Sequence, residues 1–198
     1  GEDGKDLGVV AIFNDVTEQK AAERALKESE ARFRSTFDNA AVGIAHVGLD
    51  GSWLLVNNRL CEIVGYSRDE LMRRTFQDIT HPDDLEEDVA LFGRLMRGEL
   101  ATYTAEKRYV RGDAKMVWVS LTTAVQTDEH GRALYCISVV QDISRRKQAE
   151  RTLQENENRM RAILDASGDE ILLVSTQGRV LAINKAAERR LARRLASM

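Results

Sequence analysis

The sequence has 198 residues, of which 43% are hydrophobic and 31% charged, with a formal net charge of −3 at pH 7. This balance is typical of a globular protein and gives no basic surface of the kind that binds nucleic acids. No apolar run approaches the ~20 residues that span a bilayer, and two cysteines, Cys61 and Cys136, are too few for a disulfide framework. We therefore predict a cytoplasmic module, whose parent protein is either soluble or anchored to a membrane by another segment.

The first residues of the chain are repeated later in it. Residues 15–23 read DVTEQKAAE and residues 142–150 read DISRRKQAE, and the same offset aligns Gly4 with Gly131 and Asn57 with Asn184. A fixed period of this kind indicates a tandem array. We expect residues 1–17 to end an upstream unit, 40–144 to form one complete unit, and 167–198 to begin a downstream unit. The chain is then expected to be a fragment of a longer protein.

Residues 18–39 and 145–166 are predicted to be linker helices. Their seam residues are spaced alternately by four and three positions, which is the rhythm of a coiled coil. Each seam contains a polar residue, Ser29 or Asn156, which weakens pairing and can fix its register. We predict that the helices pair in a parallel homodimer. The predicted seam comprises Ala22, Leu26, Ser29, Phe33, Ala149, Leu153, Asn156, Met160 and Ile163.

The central unit begins with two apolar runs around Asp50–Gly51, a signal for a β-hairpin. Helical segments follow, with Asn57 or Asn58 as an N-cap candidate and Gly65 as a stop. The sequence then predicts a longer helix from Pro82 to Arg97 with acidic residues in its first turn.

Three further strands complete the unit, with the sequences ATYTAEKRYV, KMVWVSLTTAVQ and ALYCISVVQD. In the middle strand both faces are apolar enough to be buried, so alternation alone does not identify the inner face. Antiparallel hairpins with helices grouped between them predict an α+β fold.

Several spaced motifs in this unit resemble those of a PAS domain with its C-terminal PAC segment. They are DGSWLLVNNRLCEIVGYSRDEL, THPDD, EKRYVRGDAKMVWVSLT and DEHGRALYCISVVQDISRRKQAE, in that order. The resemblance implies a five-stranded antiparallel sheet of order 2-1-5-4-3, with short helices on one face around a small pocket. It also implies that a D-[IV]-[ST] segment leads into each signalling helix, and the matching junction residues are Asp15, Thr17, Asp142 and Ser144. The sequence departs from the family at Gly112–Ala114, where glycine precedes the turn aspartate instead of following it.

A small, mostly apolar pocket is predicted between the helices and the sheet. Alternation along the strands predicts which side chains face inward. The candidate walls are Ile44, Cys61, Ile79, Phe92, Tyr103, Trp118, Ser120 and Ile137. Trp118 and Tyr103 fit either core packing or stacking on a planar ligand, whereas Glu106, Lys107 and Arg108 are interpreted as a solvated or salt-bridged patch.

The sequence lacks motifs for catalysis and for cofactor binding. The sequence has no P-loop, no GGDEF or EAL signature and no catalytic constellation. Its three histidines, His46, His81 and His130, lack metal-ligand spacing, so we predict no metal site. The predicted helix after His81 contains no histidine, which disfavours haem, and the N-C-R-F-L-Q run of photoreactive flavin domains is missing. No cofactor is predicted, and the sequence is compatible with a non-covalently bound flavin or another small molecule.

The leading functional hypothesis is a sensory and relay module. It would transmit changes caused by a ligand or by a neighbouring unit through the linker helices to an output domain outside this chain. The parent is then expected to be a histidine kinase or a diguanylate cyclase or phosphodiesterase. The alternatives are a ligand-free dimerisation and spacer module and a flavin-bearing redox sensor.

Overall fold

The computed structural model describes residues 17–196, in which two long helices flank a central α+β domain. Helix α1 spans Thr17–Asp38, and helix α6 follows the domain at Ser144–Ala166. The predicted upstream strands, with the junction residue Asp15, lie outside the described residues. Within residues 17–196 no helix is both long and apolar enough to cross a bilayer.

The central domain contains a five-stranded antiparallel sheet. The strands are β1 Gly43–Val47, β2 Trp53–Val56, β3 Thr102–Val110, β4 Met116–Thr127 and β5 Ala133–Asp142. Their order across the sheet is β2-β1-β5-β4-β3. The predicted strand order is therefore confirmed, and it places the first strand directly beside the last.

Four helices connect β2 to β3: α2 Asn58–Val64, α3 Arg68–Leu71, α4 Phe76–Ile79 and α5 Pro82–Met96. Local sequence explains their boundaries. Asn57 caps α2, which ends at Gly65 in a left-handed conformation with φ +68°. Capping boxes begin α3 and α4, and Pro82 occupies the first turn of α5, where its missing N–H costs no helical hydrogen bond.

The core lies between these helices and one face of the sheet. Alternate residues of each strand point into it, and their neighbours in sequence face the other side. The inner face is lined by aliphatic side chains, against which the helices pack leucine, isoleucine and phenylalanine. The core includes Ala45, Val47, Val56, Leu60, Ile63, Leu71, Phe76, Ile79, Leu95, Val117, Val119, Leu121, Cys136 and Val140.

The β3–β4 turn differs from the pattern of the family. Ala114 has φ +60° and is the one non-glycine residue among those described with positive φ. Gly112 is packed so closely that an added Cβ would lie 2.3 Å from the carbonyl oxygen of Gly65. The glycine is therefore needed for close backbone contact, and the strained turn position is filled by alanine.

Beyond α6 the chain begins the same architecture again. Strands β6 Leu172–Val174 and β7 Val180–Ile183 form a two-stranded antiparallel sheet, followed by helix α7 Lys185–Ala196. They repeat the order of β1, β2 and α2, at the same offset that aligns Asn57 with Asn184 in the sequence.

Candidate ligand cavity and helix anchors

The end of α1 is attached to the central domain by one buried side chain. The amide nitrogen of Asn57 donates to the carbonyl oxygens of Phe37, at 2.9 Å, and Val42, at 3.0 Å. Its side-chain oxygen accepts from the backbone N–H groups of Ile44 and Leu60, both at 2.9 Å. Asn57 is 0% exposed, and its four hydrogen bonds join α1, β1 and α2. We call this arrangement the entry anchor.

The start of α6 is attached to β4 through the predicted junction. The N–H of Ile143 donates to the Trp118 carbonyl at 2.9 Å, and the N–H of Trp118 donates to Ser144 Oγ at 3.2 Å. The N–H of Ser144 in turn donates to Asp142 Oδ1 at 2.8 Å. Ile143 lies between the two junction residues Asp142 and Ser144, and its apolar side chain is buried, with 7% exposed. Thr17, the described residue of the upstream junction, begins α1.

Charged groups strengthen this attachment. Glu106 on β3 forms an ion pair with Arg146 and another with Lys147, at 2.7 Å, both in the first turn of α6. The Lys147 ammonium lies 5.1 Å from the centre of the Trp118 ring, a cation–π contact. Hydrogen bonds from Lys147 and Arg146 lower the pKa of Glu106, so the carboxylate stays charged near neutral pH. The backbone and charge contacts of Glu106, Trp118, Ile143, Ser144 and Lys147 are together called the exit anchor.

The far end of α6 has a second entry anchor. The amide nitrogen of Asn184 donates to the carbonyl oxygens of Leu164 and Asp169, both at 2.9 Å. Its side-chain oxygen accepts from the N–H groups of Ile171, at 3.0 Å, and Ala187, at 3.1 Å. The pattern matches that of Asn57 contact for contact. Helix α6 is therefore hydrogen-bonded to the central domain at one end and to the segment that contains β6, β7 and α7 at the other.

The domain interior contains a cavity of about 20 Å³ between the sheet and helices α4 and α5. A space of this size accommodates about one water molecule. An isoalloxazine ring does not fit it without displacement of the walls. The cavity is lined by Val47, Trp53, Phe76, Phe92, Tyr103, Lys107, Tyr109, Leu121, Thr123 and Ser138.

A buried ion pair borders this cavity. The Lys107 ammonium contacts Asp88 Oδ2, and the two side chains are 4% and 2% exposed. The same ammonium donates to Thr80 Oγ1 at 3.3 Å and lies 4.5 Å from the centre of the Tyr109 ring. Burial lowers the pKa of Lys107, and the attraction of Asp88 acts in the opposite direction. The pair joins α5 to β3 inside the core.

The structure places the predicted pocket residues in two groups. Phe92 and Tyr103 line the cavity, Ile79 is buried in the adjoining core, and Cys61 is half-buried on α2. The assignment of the remaining four to the inner face is wrong, because the inner faces of their strands carry the residues on either side of them. These four outer-face residues are Ile44, Trp118, Ser120 and Ile137.

The outer face of the sheet is partly covered, which explains why it can carry a large apolar side chain such as Trp118. Lys147 of α6 shields Trp118. On the same face, the ring of His46 on β1 stacks on the ring of Tyr135 on β5, with centroids 4.7 Å apart. The Phe37 ring of α1 approaches His46 edge-on at 6.2 Å. Helix α6 thus covers part of β4 through Lys147, and helix α1 covers part of β1 through Phe37.

The ion pair between Lys107 and Asp88 was missed at the level of sequence. Glu106 and Arg108 do form salt bridges, as expected for the patch, but Lys107 lies inside the core. A signal existed, because Lys107 shares the strand parity of the apolar residues Tyr103 and Tyr109. In the part of the chain that the structure describes, no group of three or more histidine, cysteine or acidic side chains could hold a metal ion.

Comparisons with known proteins agree with this architecture. Residues 54–140 match the family model described as the PAS fold. A solved PAS domain of an HTR-like protein from Haloarcula marismortui superposes with a TM-score of 0.54 at 23% identity, covering 63% of this chain and 99% of that one.

Curated relatives come from bacterial signalling proteins. The chain is 36% identical over 149 residues to the probable diguanylate cyclase DgcE of Escherichia coli (strain K12). The aligned region covers 75% of this chain and 14% of DgcE. It is 24% identical over 131 residues to the sensor histidine kinase TmoS of Ectopseudomonas mendocina, covering 66% of this chain and 14% of TmoS. The chain thus spans about one seventh of the length of each relative. It carries a PAS domain, homologous to segments of bacterial sensor kinases and of a diguanylate cyclase.

Proposed function

We propose that this chain is a sensory and relay module, in which a change inside the PAS core alters the position of α6. The exit anchor is the observation that carries this proposal. Trp118 lies on β4, whose alternate side chains Leu121 and Thr123 line the interior cavity, and its backbone is bonded directly to the first residues of α6. A shift of β4 therefore moves the helix start as well.

Helix α6 is suitable as a relay element because it is held at both ends. Its 23 residues correspond to about 35 Å at 1.5 Å per residue. The exit anchor fixes one end and Asn184 the other, so displacement at the central domain reaches the next unit through a single rigid helix. The input is a ligand of the core or a change in the neighbouring unit.

We further propose that the linker helices pair in a parallel homodimer. The large apolar members of the predicted seam are exposed in the single chain: Leu26 by 60%, Phe33 by 54%, Leu153 by 62%, Met160 by 59% and Ile163 by 61%. The smaller seam residues Ala22, Ser29, Ala149 and Asn156 are exposed as well. A stripe of this kind along a helix is stabilised when a second copy covers it.

The parent of this module is proposed to be a histidine kinase or a diguanylate cyclase or phosphodiesterase. The homology to DgcE and TmoS supports this class, and the catalytic output would reside outside the chain described here. The module itself would contribute regulation and no chemistry.

Hydrogen exchange at the exit anchor tests the relay. In Glu106→Gln, loss of the carboxylate charge weakens the contacts to Arg146 and Lys147, and we expect faster exchange of the amides of residues 147–150. The control is Glu129→Gln, which changes an exposed glutamate in the β4–β5 turn, outside the exit anchor. Equal exchange rates at α6 in both variants would contradict the proposed coupling.

Two other functions are separable from this one. The small cavity favours a ligand-free spacer module, in which the same core would bind no small molecule and would only hold the helices apart. A flavin-bearing redox sensor would show flavin absorption in the purified protein, since the ring absorbs visible light. The visible spectrum therefore identifies a flavin sensor, and a ligand titration distinguishes a ligand sensor from a ligand-free spacer.

A further inference from the structure

Helix α5 is bonded to the edge strand β3 on both faces of the sheet. β3 is the last strand in the sheet order, and Asp84 and Asp88 lie one helical turn apart on α5. Asp88 forms the ion pair with Lys107 inside the core, whereas Asp84 pairs with Arg108. Because neighbouring residues of a strand point to opposite faces, Lys107 lies on the inner face and Arg108 on the outer face. The position of α5 is therefore tied to both sides of β3.

Several hydrogen bonds hold the outer ion pair. Nε of Arg108 donates to Asp84 Oδ2 at 2.9 Å and Nη2 donates to Asp84 Oδ1 at 2.6 Å, so the two planar groups meet at two points. The backbone N–H of Arg108 donates to Asp84 Oδ2 at 2.8 Å, and Nη2 donates to Asp83 Oδ2 at 3.1 Å. The hydrogen bond from the Arg108 side chain lowers the pKa of Asp84, so the carboxylate stays charged near neutral pH. The guanidinium is thus fixed relative to the first turn of α5.

The same guanidinium contacts the exit anchor. Arg108 and Trp118 are directly opposite each other on β3 and β4, and Cζ of Arg108 lies 5.5 Å from the centre of the Trp118 ring. The Lys147 ammonium of α6 lies 5.1 Å from the same ring. The indole therefore makes one cation–π contact with β3 and another with α6. Asp84, Arg108, Trp118 and Lys147 form a continuous series of contacts from α5 to α6.

This series runs around the edge of the sheet. The lining of the interior cavity includes none of its four side chains. A displacement of α5 can therefore reach the start of α6 along the outer face, without passing through the cavity.

We propose that Arg108 is a positioning residue that couples the position of α5 to the start of α6 through the Trp118 ring. This inference rests on the proposed relay function, for which it names the path from the helical layer to α6. A guanidinium is suited to this role because its planar group bonds a carboxylate at two points and also lies over an aromatic ring.

A double-mutant cycle measured at α6 tests the coupling. Asp84→Asn removes the carboxylate charge at a site outside the exit anchor and leaves Arg108 in place. We expect the amides of residues 147–150 to exchange about two- to tenfold faster in this variant. In the Arg108→Gln background, Asp84→Asn should have no further effect on these amides, because the connecting guanidinium is missing. If Arg108→Gln does not fold, Arg108→Lys serves as the background, since it keeps the positive charge and loses the two-point contact.

The indole signals in a ¹H–¹⁵N correlation spectrum give a second measurement. The chain has two tryptophans, Trp53 and Trp118. Asp84→Asn should shift the Trp118 signal, whereas the signal of Trp53, which is buried in the core, should stay in place. Glu86→Gln is the matched control, because it removes an exposed carboxylate from the same helix. It should change neither the exchange of α6 nor the Trp118 signal.

Three results would overturn the proposal. The first is unchanged exchange of residues 147–150 in Asp84→Asn, and the second is an equal effect of this substitution with and without Arg108. The third is equal acceleration of these amides and of the amides of β1 and β5, which would indicate a general loss of stability. The Glu106→Gln test does not involve Asp84. Failure here together with faster α6 exchange in Glu106→Gln would exclude this path and leave the relay itself in place.

Discussion

Lys107 and Asp88 form an ion pair inside the core, with side chains 4% and 2% exposed, that joins the sheet to helix α5. Removing one member leaves the other as an unpaired buried charge, which typically costs about 3–5 kcal/mol. We expect Lys107→Met and Asp88→Leu each to lower the free energy of unfolding by this amount. The double variant should cost much less than the sum, because no charge then remains buried. Urea denaturation of the three variants measures the coupling.

The matched control for this pair is an exposed one. Arg59 and Glu62 are 2.8 Å apart on the surface of α2. Since exposed pairs contribute about 0–1 kcal/mol, Glu62→Gln should be close to neutral. Additive effects of Lys107→Met and Asp88→Leu would show that the two side chains act independently.

The β3–β4 turn allows two substitutions with opposite expected effects, at Ala114 and Gly112. Ala114 has φ +60°, a conformation that strains residues with a Cβ. Ala114→Gly should therefore stabilise the protein by about 0.5–1 kcal/mol after the greater entropy of glycine in the unfolded chain is subtracted. Gly112→Ala should destabilise it, because its Cβ would lie 2.3 Å from the Gly65 carbonyl oxygen. Thermal unfolding of the two variants in parallel decides the point, and a fall in Tm for Ala114→Gly would refute the strain.

This turn also shows what sequence reasoning could and could not provide. Hairpin signals and caps predicted the elements and the α+β class, whereas the strand order came from the resemblance of the spaced motifs to those of PAS domains. The departure at Gly112 was visible in the sequence, but its cause was not. The glycine is required by contact with Gly65, a residue 47 positions away, and only tertiary structure brings the two together.

The pocket residues were harder to predict for a related reason. Alternation assigns residues to two faces but does not say which face is inside when both are apolar. Trp118 and Ile137 are apolar although they face outward, because the linker helices and an aromatic cluster partly cover that side. Lys107 is charged although it faces inward, because Asp88 of α5 compensates it. Long-range partners thus determined both exceptions.

The exit anchor should weaken in acid. The folded-state pKa of Glu106 lies below its ordinary value of 4.5, mainly because of the hydrogen bond from Lys147 and that from Arg146. A depressed carboxyl pKa stabilises the contact above the ordinary value, and this stabilisation is lost as the pH falls through the folded-state pKa. We therefore expect the Trp118 indole signal, which reports on the nearby Lys147, to shift below pH 4.5. In Glu106→Gln this transition should be missing, and an identical pH profile in the variant would exclude Glu106 as its cause.

The two linker helices should hold two copies of the chain together. Leu26→Asp combined with Leu153→Asp places charges in the predicted seam, where burial without a partner is unfavourable. Light scattering at micromolar concentration should then give 22.3 kDa, the mass of one chain, instead of twice that value. The control, Ala31→Asp combined with Asn158→Asp, adds the same charges on the sides of the helices away from the seam and should leave the dimer intact.

An Asn156→Cys variant tests the orientation of the two helices. Only in a parallel pair does each seam residue face the same residue of the second copy. Rapid disulfide formation between copies is expected, and its failure in a protein that is still dimeric would contradict the parallel arrangement.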